Sequence, residues 1–110
     1  MTSEQFRRLA LSLPDAAESA HMGHPDFRVG GKIFATLGHP RSGWAMIKLP
    51  PEDQRFLLRA HPGSFSPATG AWGRAGSTMV ELRLARTGAV RDALTIAWKA
   101  RAPKGLASRV

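Results

Sequence analysis

The chain has no cysteine among its 110 residues, and this absence removes several kinds of chemistry at once. Without a thiol there is no thiolate nucleophile, no disulfide exchange and no zinc site that depends on sulfur ligands. A disulfide framework of the kind that holds small extracellular domains together is also absent, and the first residues lack the pattern of a secretory signal. We therefore expect a cytoplasmic protein.

Long apolar runs are missing as well. No stretch approaches the roughly 20 consecutive apolar residues that cross a bilayer, so we expect no contact with a membrane. The hydrophobic share of 43% and the charged share of 22% are typical of a globular chain. A length of 110 residues predicts a single domain over residues 1–110. We expect a monomer, although the sequence does not fix the oligomeric state.

Acidic residues are scarce relative to basic ones. The chain has 16 Lys and Arg against 8 Asp and Glu, which gives a formal net charge of +8. The excess is uneven, because residues 1–55 contain seven basic and six acidic residues, whereas residues 56–110 contain nine and two. A basic domain with a one-sided charge distribution attracts polyanions, nucleic acid first. A genome composition that favours arginine codons is the alternative explanation.

The stretch 21–34, HMGHPDFRVGGKIF, contains residue types that could form a phosphate loop or a zinc site. A phosphate loop needs Gly five residues before the Gly-Lys glycine and Ser or Thr after the lysine, but Asp26 and Ile33 occupy these positions. A zinc-protease helix needs two histidines four residues apart, whereas His21 and His24 are three apart in a segment that glycine and proline keep from being helical. Neither motif is present.

The same stretch predicts a β-hairpin instead. Gly30-Gly31 between two alternating segments is a strong two-residue turn signal, because the favoured turns need positive φ angles. Two cations would then lie at the exposed end of the hairpin. The pairs expected from this turn are Val29 with Lys32 and Phe27 with Phe34 on one face, with Arg28 and Ile33 on the other.

No other constellation of residues indicates catalysis or a cofactor. The chain has no Gly-x-Ser-x-Gly motif, and its closely paired carboxylates are Glu52-Asp53 at the start of a predicted helix. Spacing neither forbids nor supports a looser metal site built from His21, His24, His39 and His61. We therefore predict no enzyme activity, no metal and no cofactor.

Three segments have helical periodicity. The first starts with a capping box at Thr2 and Gln5, the second starts at residues 50–53, and the third follows Gly88. The side chains expected on their buried faces are Phe6, Leu9, Ala10 and Leu13 in the first helix, Phe56, Leu57 and Ala60 in the second, and Val90, Ala93, Leu94, Ala97 and Trp98 in the third.

Strand signals lie between these helices. Residues 26–29, 32–37 and 44–49 have the alternation of an antiparallel meander, and residues 78–84 predict one further strand. The irregular segment 62–77 is expected to pack on its own Phe65 and Trp72. Together these elements predict an α+β fold in the order α-β(3–4)-α-β(1–2)-α.

The irregular segment also contains a glycine pattern. Residues 70–73 and 73–76 each match the GXXG of a KH loop, which binds RNA. The pattern is short and lacks the helix-turn-helix setting of a KH domain. We therefore do not interpret it as a nucleic-acid site.

Several motifs spread over nearly the whole chain form a set: Gly23-His24-Pro25-x-Phe27-Arg28-Val29, Lys32-Ile33-Phe34-Ala35, Trp44 with Lys48-Leu49, Trp72-Gly73, and Ala97-Trp98 with Ala102-Pro103-Lys104. This set closely resembles the MmcQ/YjbR family. The resemblance implies a small bacterial protein with a YjbR-like α+β fold that binds DNA through a double-wing motif, and it implies no catalytic residue. We infer that the two wings are the hairpin at Gly30-Gly31 and the turn from Gly38 to Gly43.

The leading hypothesis is a DNA-binding protein that contacts phosphates through basic hairpin wings and a basic C-terminal region. The residues expected to make these contacts are Arg28, Lys32, Arg41, Lys48, Arg74, Lys99, Arg101 and Lys104. Cations near the end of a helix also complement its dipole, so part of this cluster has a structural explanation. The alternative is a protein-interaction or small-ligand-binding module in which Trp44, Met46 and Trp72 line a groove.

Overall fold

A computed structural model describes residues 1–109 of the chain. The helices are α1 (Ser3–Leu11), α2 (Pro51–Ala60), α3 (Gly70–Arg74), α4 (Thr87–Arg101) and α5 (Lys104–Ala107). The strands are β1 (Ala17–His21), β2 (His24–Val29), β3 (Lys32–Leu37), β4 (Trp44–Lys48), β5 (Phe65–Pro67) and β6 (Ser77–Glu81), and a short 3₁₀ helix (Leu82–Leu84) follows β6.

All six strands form one antiparallel sheet in the order β1-β2-β3-β4-β6-β5. The first four strands are consecutive neighbours, which confirms the predicted meander. β6 lies between β4 and β5, with α2 and α3 in the connections. The predicted α+β fold is confirmed, with four strands before the second helix and two after it.

The hydrophobic core lies between one face of the sheet and helices α1, α2 and α4. Trp98, Phe6 and Phe27 are among its largest fully buried side chains. The indole N–H of Trp98 donates to the backbone oxygen of Pro14 over 2.9 Å, so the buried ring keeps a hydrogen-bond partner. The predicted stripe of α4 is buried throughout, and the predicted capping box of α1 is formed. Both predictions are confirmed.

The hairpin at Gly30-Gly31 has the predicted pairs next to its turn but not further away. A β-bulge shifts the register, so Phe27 pairs with Ala35 and not with Phe34 as predicted. The bulge adds one residue to β3 at this point, and both Phe34 and Ala35 are buried. The predicted Phe27–Phe34 pair is therefore wrong, although both rings belong to the core as expected.

Helix α2 presents a different face to the protein from the one predicted. Phe56 is 63% exposed and Ala60 is exposed, whereas Leu57 is buried as expected. The residue that takes the buried position is Gln54. Its side-chain nitrogen donates to the backbone oxygens of Gly73 and Ser77, and both N···O distances are 3.0 Å. Two satisfied hydrogen bonds allow a polar side chain to be buried here, and hydrophobic periodicity does not detect such a position.

The segment 62–77 contains regular structure that the sequence did not reveal, since β5 and α3 both lie within it. Phe65 is buried as predicted, but Trp72 is 72% exposed, so its prediction as a packing anchor is wrong. The predicted last strand ends at Glu81, and the residues that continue the apolar pattern form the 3₁₀ helix.

Candidate nucleic-acid interface

Helices α1, α2 and α4 pack against one face of the sheet and leave the other face without them. The register places Asp26, Thr36, Met46 and Met79 in one row across β2, β3, β4 and β6. None of these side chains belongs to the hydrophobic core. We call this surface the open face, and its residues include His21, His24, Asp26, Arg28, Ile33, Thr36, Trp44, Met46, Lys48, Met79 and Glu81.

The open face contains a fully buried carboxylate. Asp26 is 0% exposed and binds Arg28 with both carboxylate oxygens. The Nε atom of Arg28 donates to Oδ1 at a distance of 2.8 Å, and Nη2 donates to Oδ2 at 3.0 Å. The Nδ1 atom of His21 lies 2.7 Å from Oδ2 of the same carboxylate. We call these three residues the Asp26 cluster. A two-point guanidinium–carboxylate contact has a defined geometry, so Asp26 fixes the orientation of Arg28.

The charges of the Asp26 cluster keep the carboxylate ionised. Hydrogen bonding by Arg28 holds the pKa of Asp26 below its ordinary value, although burial acts in the opposite direction, and the contact with His21 lowers this pKa further. The same carboxylate raises the pKa of Arg28 above its already high value. An ionised carboxylate only accepts hydrogen bonds, so Nδ1 of His21 is the donor in this contact.

The ionised Asp26 gives the first testable prediction. Because its pKa is lowered in the folded state, Asp26 contributes stability that is present above about pH 4 and is lost as the pH falls through the folded-state pKa. We expect Asp26→Asn to lower the free energy of unfolding by about 1–3 kcal/mol near neutral pH, since a charged hydrogen-bond acceptor is removed. Urea unfolding near pH 7 and near pH 3 should show this difference narrowing in acid. A difference of equal size at both pH values would contradict the role given to the charge.

Aromatic and basic side chains gather at one end of the open face. The rings of His24 and His39 meet edge to face with their centroids 5.9 Å apart. The guanidinium carbon of Arg41 lies 5.3 Å from the centroid of the Trp44 ring, within the range of a cation–π contact. Arg41 belongs to the turn between β3 and β4. The predicted phosphate contact at Arg41 therefore lies beside the open face.

A second group of predicted contact residues lies at the other end of the sheet. Lys32 is exposed beside the hairpin tip, and Lys48 is half-buried at the end of β4. Pro103 packs against the tip, because a Cβ atom on Gly30 would lie 3.2 Å from its Cδ. This contact brings the neighbouring Lys104 close to the hairpin. The basic C-terminal region and the first predicted wing are thus adjacent.

Three predicted contact residues lie outside the open face. Lys99 and Arg101 are exposed in the last turn of α4, the helix that packs on the opposite face. Arg74 ends α3, and the chain passes from there to Ser77, the partner of Lys48. The structure therefore brings Arg74 near one end of the sheet and leaves Lys99 and Arg101 on the helical side.

The two turns that we predicted as wings lie at opposite ends of β3. The Gly30-Gly31 turn precedes its first residue, Lys32, and the turn from Gly38 to Gly43 follows its last, Leu37. A strand of this length, 6 residues, spans about 20 Å. The turns therefore flank the open face from two sides.

The alternative groove of Trp44, Met46 and Trp72 is not assembled as a unit. Trp44 and Met46 share the open face, and Trp44 pairs with Glu81 at the start of β4. Trp72 lies on α3, which adjoins the opposite end of β4 through Ser77. A groove on the open face would therefore have Trp44 and Met46 but not Trp72.

Most predicted contact residues have no acidic partner. The salt bridges among residues 1–109 use Glu4, Glu18, Asp26 and Glu81. Arg28, bound to Asp26, is the one predicted contact residue in this set. Within the described part of the chain, the residues left with uncompensated charge are therefore Lys32, Arg41, Lys48, Arg74, Lys99, Arg101 and Lys104.

The histidines do not converge on a metal site in the described structure. Among residues 1–109, no group of three or more His, Asp or Glu side chains is placed to hold a metal ion. His61 lies at the end of α2, with its ring centroid 5.9 Å from that of Phe65. Within the same residues, no helix is long and apolar enough to cross a membrane.

The contact between His21 and Asp26 has no direct signal in the sequence. Their contact depends on a hairpin between β1 and β2 that turns at Met22-Gly23, where φ is 50° and 80°. Every residue of β1 is exposed, so no apolar alternation marks this strand. The glycine at position 23 was the one local signal of a turn.

These observations describe an α+β protein with basic residues around an open antiparallel sheet face. The YjbR family model matches residues 11–100, and the chain belongs to this family, as its motifs suggested. The fold is similar, with a TM-score of 0.77, to that of Deinococcus radiodurans protein DR2400. The crystal structure of DR2400 is described as one of the family-model domain DUF419. The two chains are 20% identical, and the match covers 94% of this chain and 80% of DR2400. Comparison with curated proteins gives no match.

Proposed function

We propose that this protein of the YjbR family binds DNA, with the phosphate backbone lying along the open face between the two flanking turns. One observation carries the proposal: Arg41 and Lys48 lie on or beside a sheet face that α1, α2 and α4 do not cover, Lys32 is exposed at the hairpin tip that borders this face, and none of the three has an acidic partner within residues 1–109. Lysine and arginine side chains in such a position attract phosphates by charge.

The size of the open face suits a short stretch of nucleic acid. The turns at its two ends are separated by a strand that spans about 20 Å, which corresponds to about six phosphates of one DNA strand. Lys32 and Lys48 supply charge at one end, and Arg41 supplies it at the other. A polyanion lying along β3 would therefore meet cations at both ends of its path.

The open face offers little for reading a base sequence. Thr36 and Met46 in the middle of the sheet are 7% and 8% exposed, so their side chains cannot reach into a groove of the duplex. Sequence readout needs side chains that contact base edges, whereas phosphate contacts are independent of sequence. We therefore propose DNA binding with weak sequence preference, a binding function without catalysis or cofactor. In a bacterial cell it would act in the cytoplasm.

Salt dependence tests the proposal directly. With about 4 to 6 phosphate contacts, the logarithm of the affinity for duplex DNA should fall against the logarithm of salt concentration with a slope of about −4 to −5. Fluorescence anisotropy with two labelled duplexes of unrelated sequence, titrated between about 0.05 and 0.3 M salt, measures the slope and the sequence preference together. A flat salt response would contradict the proposal and would favour the interaction module built on Trp44 and Met46.

A further inference from the structure

The Asp26 cluster holds a guanidinium group and an imidazole ring at one point of the open face. Arg28 Nη2 and His21 Nδ1 both donate to the Oδ2 atom of Asp26, at 3.0 and 2.7 Å. The shared oxygen holds the two nitrogens close together. Asp26 itself has no exposed surface, whereas the side chains of Arg28 and His21 are 34% and 41% exposed. The buried carboxylate therefore positions two side chains that reach solvent.

Both side chains keep polar atoms that the described protein does not use. Nη1 of Arg28 and Nε2 of His21 make no hydrogen bond to any of residues 1–109. Because Nδ1 of His21 donates to ionised Asp26, Nε2 carries the lone pair of the neutral ring and becomes an N–H donor when the ring is protonated. Arg28 and protonated His21 can then donate together to the oxygens of one anion.

The net charge of the Asp26 cluster depends on His21. With a neutral ring, Arg28 and Asp26 cancel and the cluster carries no net charge. Protonation of His21 gives it one positive charge, so an anion that binds here favours the protonated ring. Affinity measured at several pH values reports this linkage.

The surroundings of His21 contain few other groups that could produce the same pH dependence. β1 is an edge strand, and its neighbour β2 places His24 directly opposite His21, with His39 against the ring of His24. Glu18 of β1 is paired with Arg7 of α1. The charged and titratable groups to separate experimentally are therefore Asp26, Arg28, His24 and His39.

We infer that Arg28 and His21, positioned by Asp26, form a binding site for one phosphodiester group, and that the bound state takes up a proton at His21. The inference rests on the proposed function, because it assigns this site to one phosphate of the bound DNA. It adds His21 and Asp26 to the interface and makes DNA affinity dependent on pH. Asp26 is a positioning residue in this site, since its buried oxygens do not reach the ligand.

Duplex affinity at two pH values tests the inference. At about 0.1 M salt, we expect the wild-type protein to bind up to about tenfold more tightly near pH 5.5 than near pH 8. A tenfold change in affinity is what results when binding changes the pKa of one group by about one unit. His21→Gln should reduce this ratio to about twofold or less, while His24→Gln and His39→Gln should keep most of it. Thermal unfolding of each variant at both pH values serves as the folding control. A His21→Gln ratio equal to that of the wild-type protein overturns the inference.

A second measurement on the wild-type protein separates this site from the proposed function. Dimethyl phosphate, which remains a monoanion over this pH range, should shift the NMR signals of the His21 ring and the Arg28 guanidinium near pH 5.5, and much less near pH 8. These shifts without duplex binding would support the phosphate site and overturn DNA binding. Duplex binding with the predicted salt slope but without these shifts would support DNA binding and overturn the phosphate site.

Discussion

Replacing Lys32, Arg41 and Lys48 together by glutamine should weaken binding to duplex DNA by on the order of 10²- to 10³-fold at about 0.1 M salt. Each residue is expected to neutralise one phosphate, and each phosphate contact changes the salt slope by about 0.9, so the slope of the triple variant should be smaller by about 2.7. Fluorescence anisotropy over the same salt range as for the wild-type protein measures both quantities.

A matched variant controls for the loss of net charge. Arg55, Arg59 and Arg91 are exposed on α2 and α4, on the helical side of the sheet, and none has an acidic partner within residues 1–109. Changing these three residues to glutamine removes the same number of charges. At about 0.1 M salt, charges beyond roughly 10 Å are largely screened, so we expect only a few-fold loss of affinity.

The comparison of the two triple variants locates the interface. Equal losses in both variants would mean that DNA responds to the total charge of the protein, which would contradict a binding surface on the open face. A larger loss in the control variant would place the DNA on the helical side, where Lys99 and Arg101 also lie. Either result would contradict the proposed position of the bound DNA without contradicting the fold.

The sequence predicted best those elements whose signals are local or strongly periodic. Trp98 and the other apolar residues of α4 recur at helical spacing over the length of the helix, and all of them are buried. The capping box of α1 uses two residues three positions apart, and it is formed. The Gly30-Gly31 turn fixes its nearest pairs for the same reason. In each case a few neighbouring residues contain the whole physical cause.

The errors fall where distant residues decide the local arrangement. Gln54 is buried on α2 because two backbone oxygens from the segment after α3 accept its hydrogen bonds. The bulge that moves Phe34 out of register with Phe27 follows from packing both Phe34 and Ala35 against the helices. Neither cause lies within a few residues of its effect, so periodicity alone could not show it.

The sequence predicted which basic residues belong to the candidate site, but it did not predict how the charged side chains pair. Arg28, Lys32, Arg41 and Lys48 are basic residues in or near hairpins. The structure places Arg28, Arg41 and Lys48 on or beside the open face and Lys32 at the hairpin tip that borders it. The Asp26 cluster was not foreseen, because it joins residues across a turn whose first strand is polar and fully exposed. Charge along a chain is visible in the sequence, whereas the pairing of charges needs the register of the strands.

The glycines of segment 73–76, whose GXXG pattern is also found in KH loops, have a structural role. A Cβ atom on Gly73 would lie 1.8 Å from the backbone oxygen of Ala68, and one on Gly76 would lie 1.7 Å from that of Leu49. Gly76 also has a φ of +113°, which side chains rarely adopt. These glycines allow the backbone to pass close to neighbouring chain segments, so the pattern needs no phosphate ligand to explain it.

Substitution of Gly76 by alanine should therefore strongly destabilise this protein. The clash is with backbone atoms at the end of β4, which cannot move without disturbing the strand that carries Lys48. We expect Gly76→Ala to lower the free energy of unfolding by about 4 kcal/mol or more, a large part of the roughly 5–15 kcal/mol typical of a small domain. Urea unfolding measures the loss, and failure to fold would be the extreme case of the same result.

Two other glycines separate the clash from the backbone strain. Gly31 has a φ of +78°, and a Cβ atom added there would meet no atom within 4 Å, so Gly31→Ala should show the strain alone, about 1–2 kcal/mol. Gly63 has neither positive φ nor a close neighbour, and Gly63→Ala should change stability by less than about 1 kcal/mol. If Gly76→Ala cost no more than Gly31→Ala, the close approach to Leu49 would not be maintained in solution. The position of α3 relative to β4, and with it that of Arg74, would then have to be different.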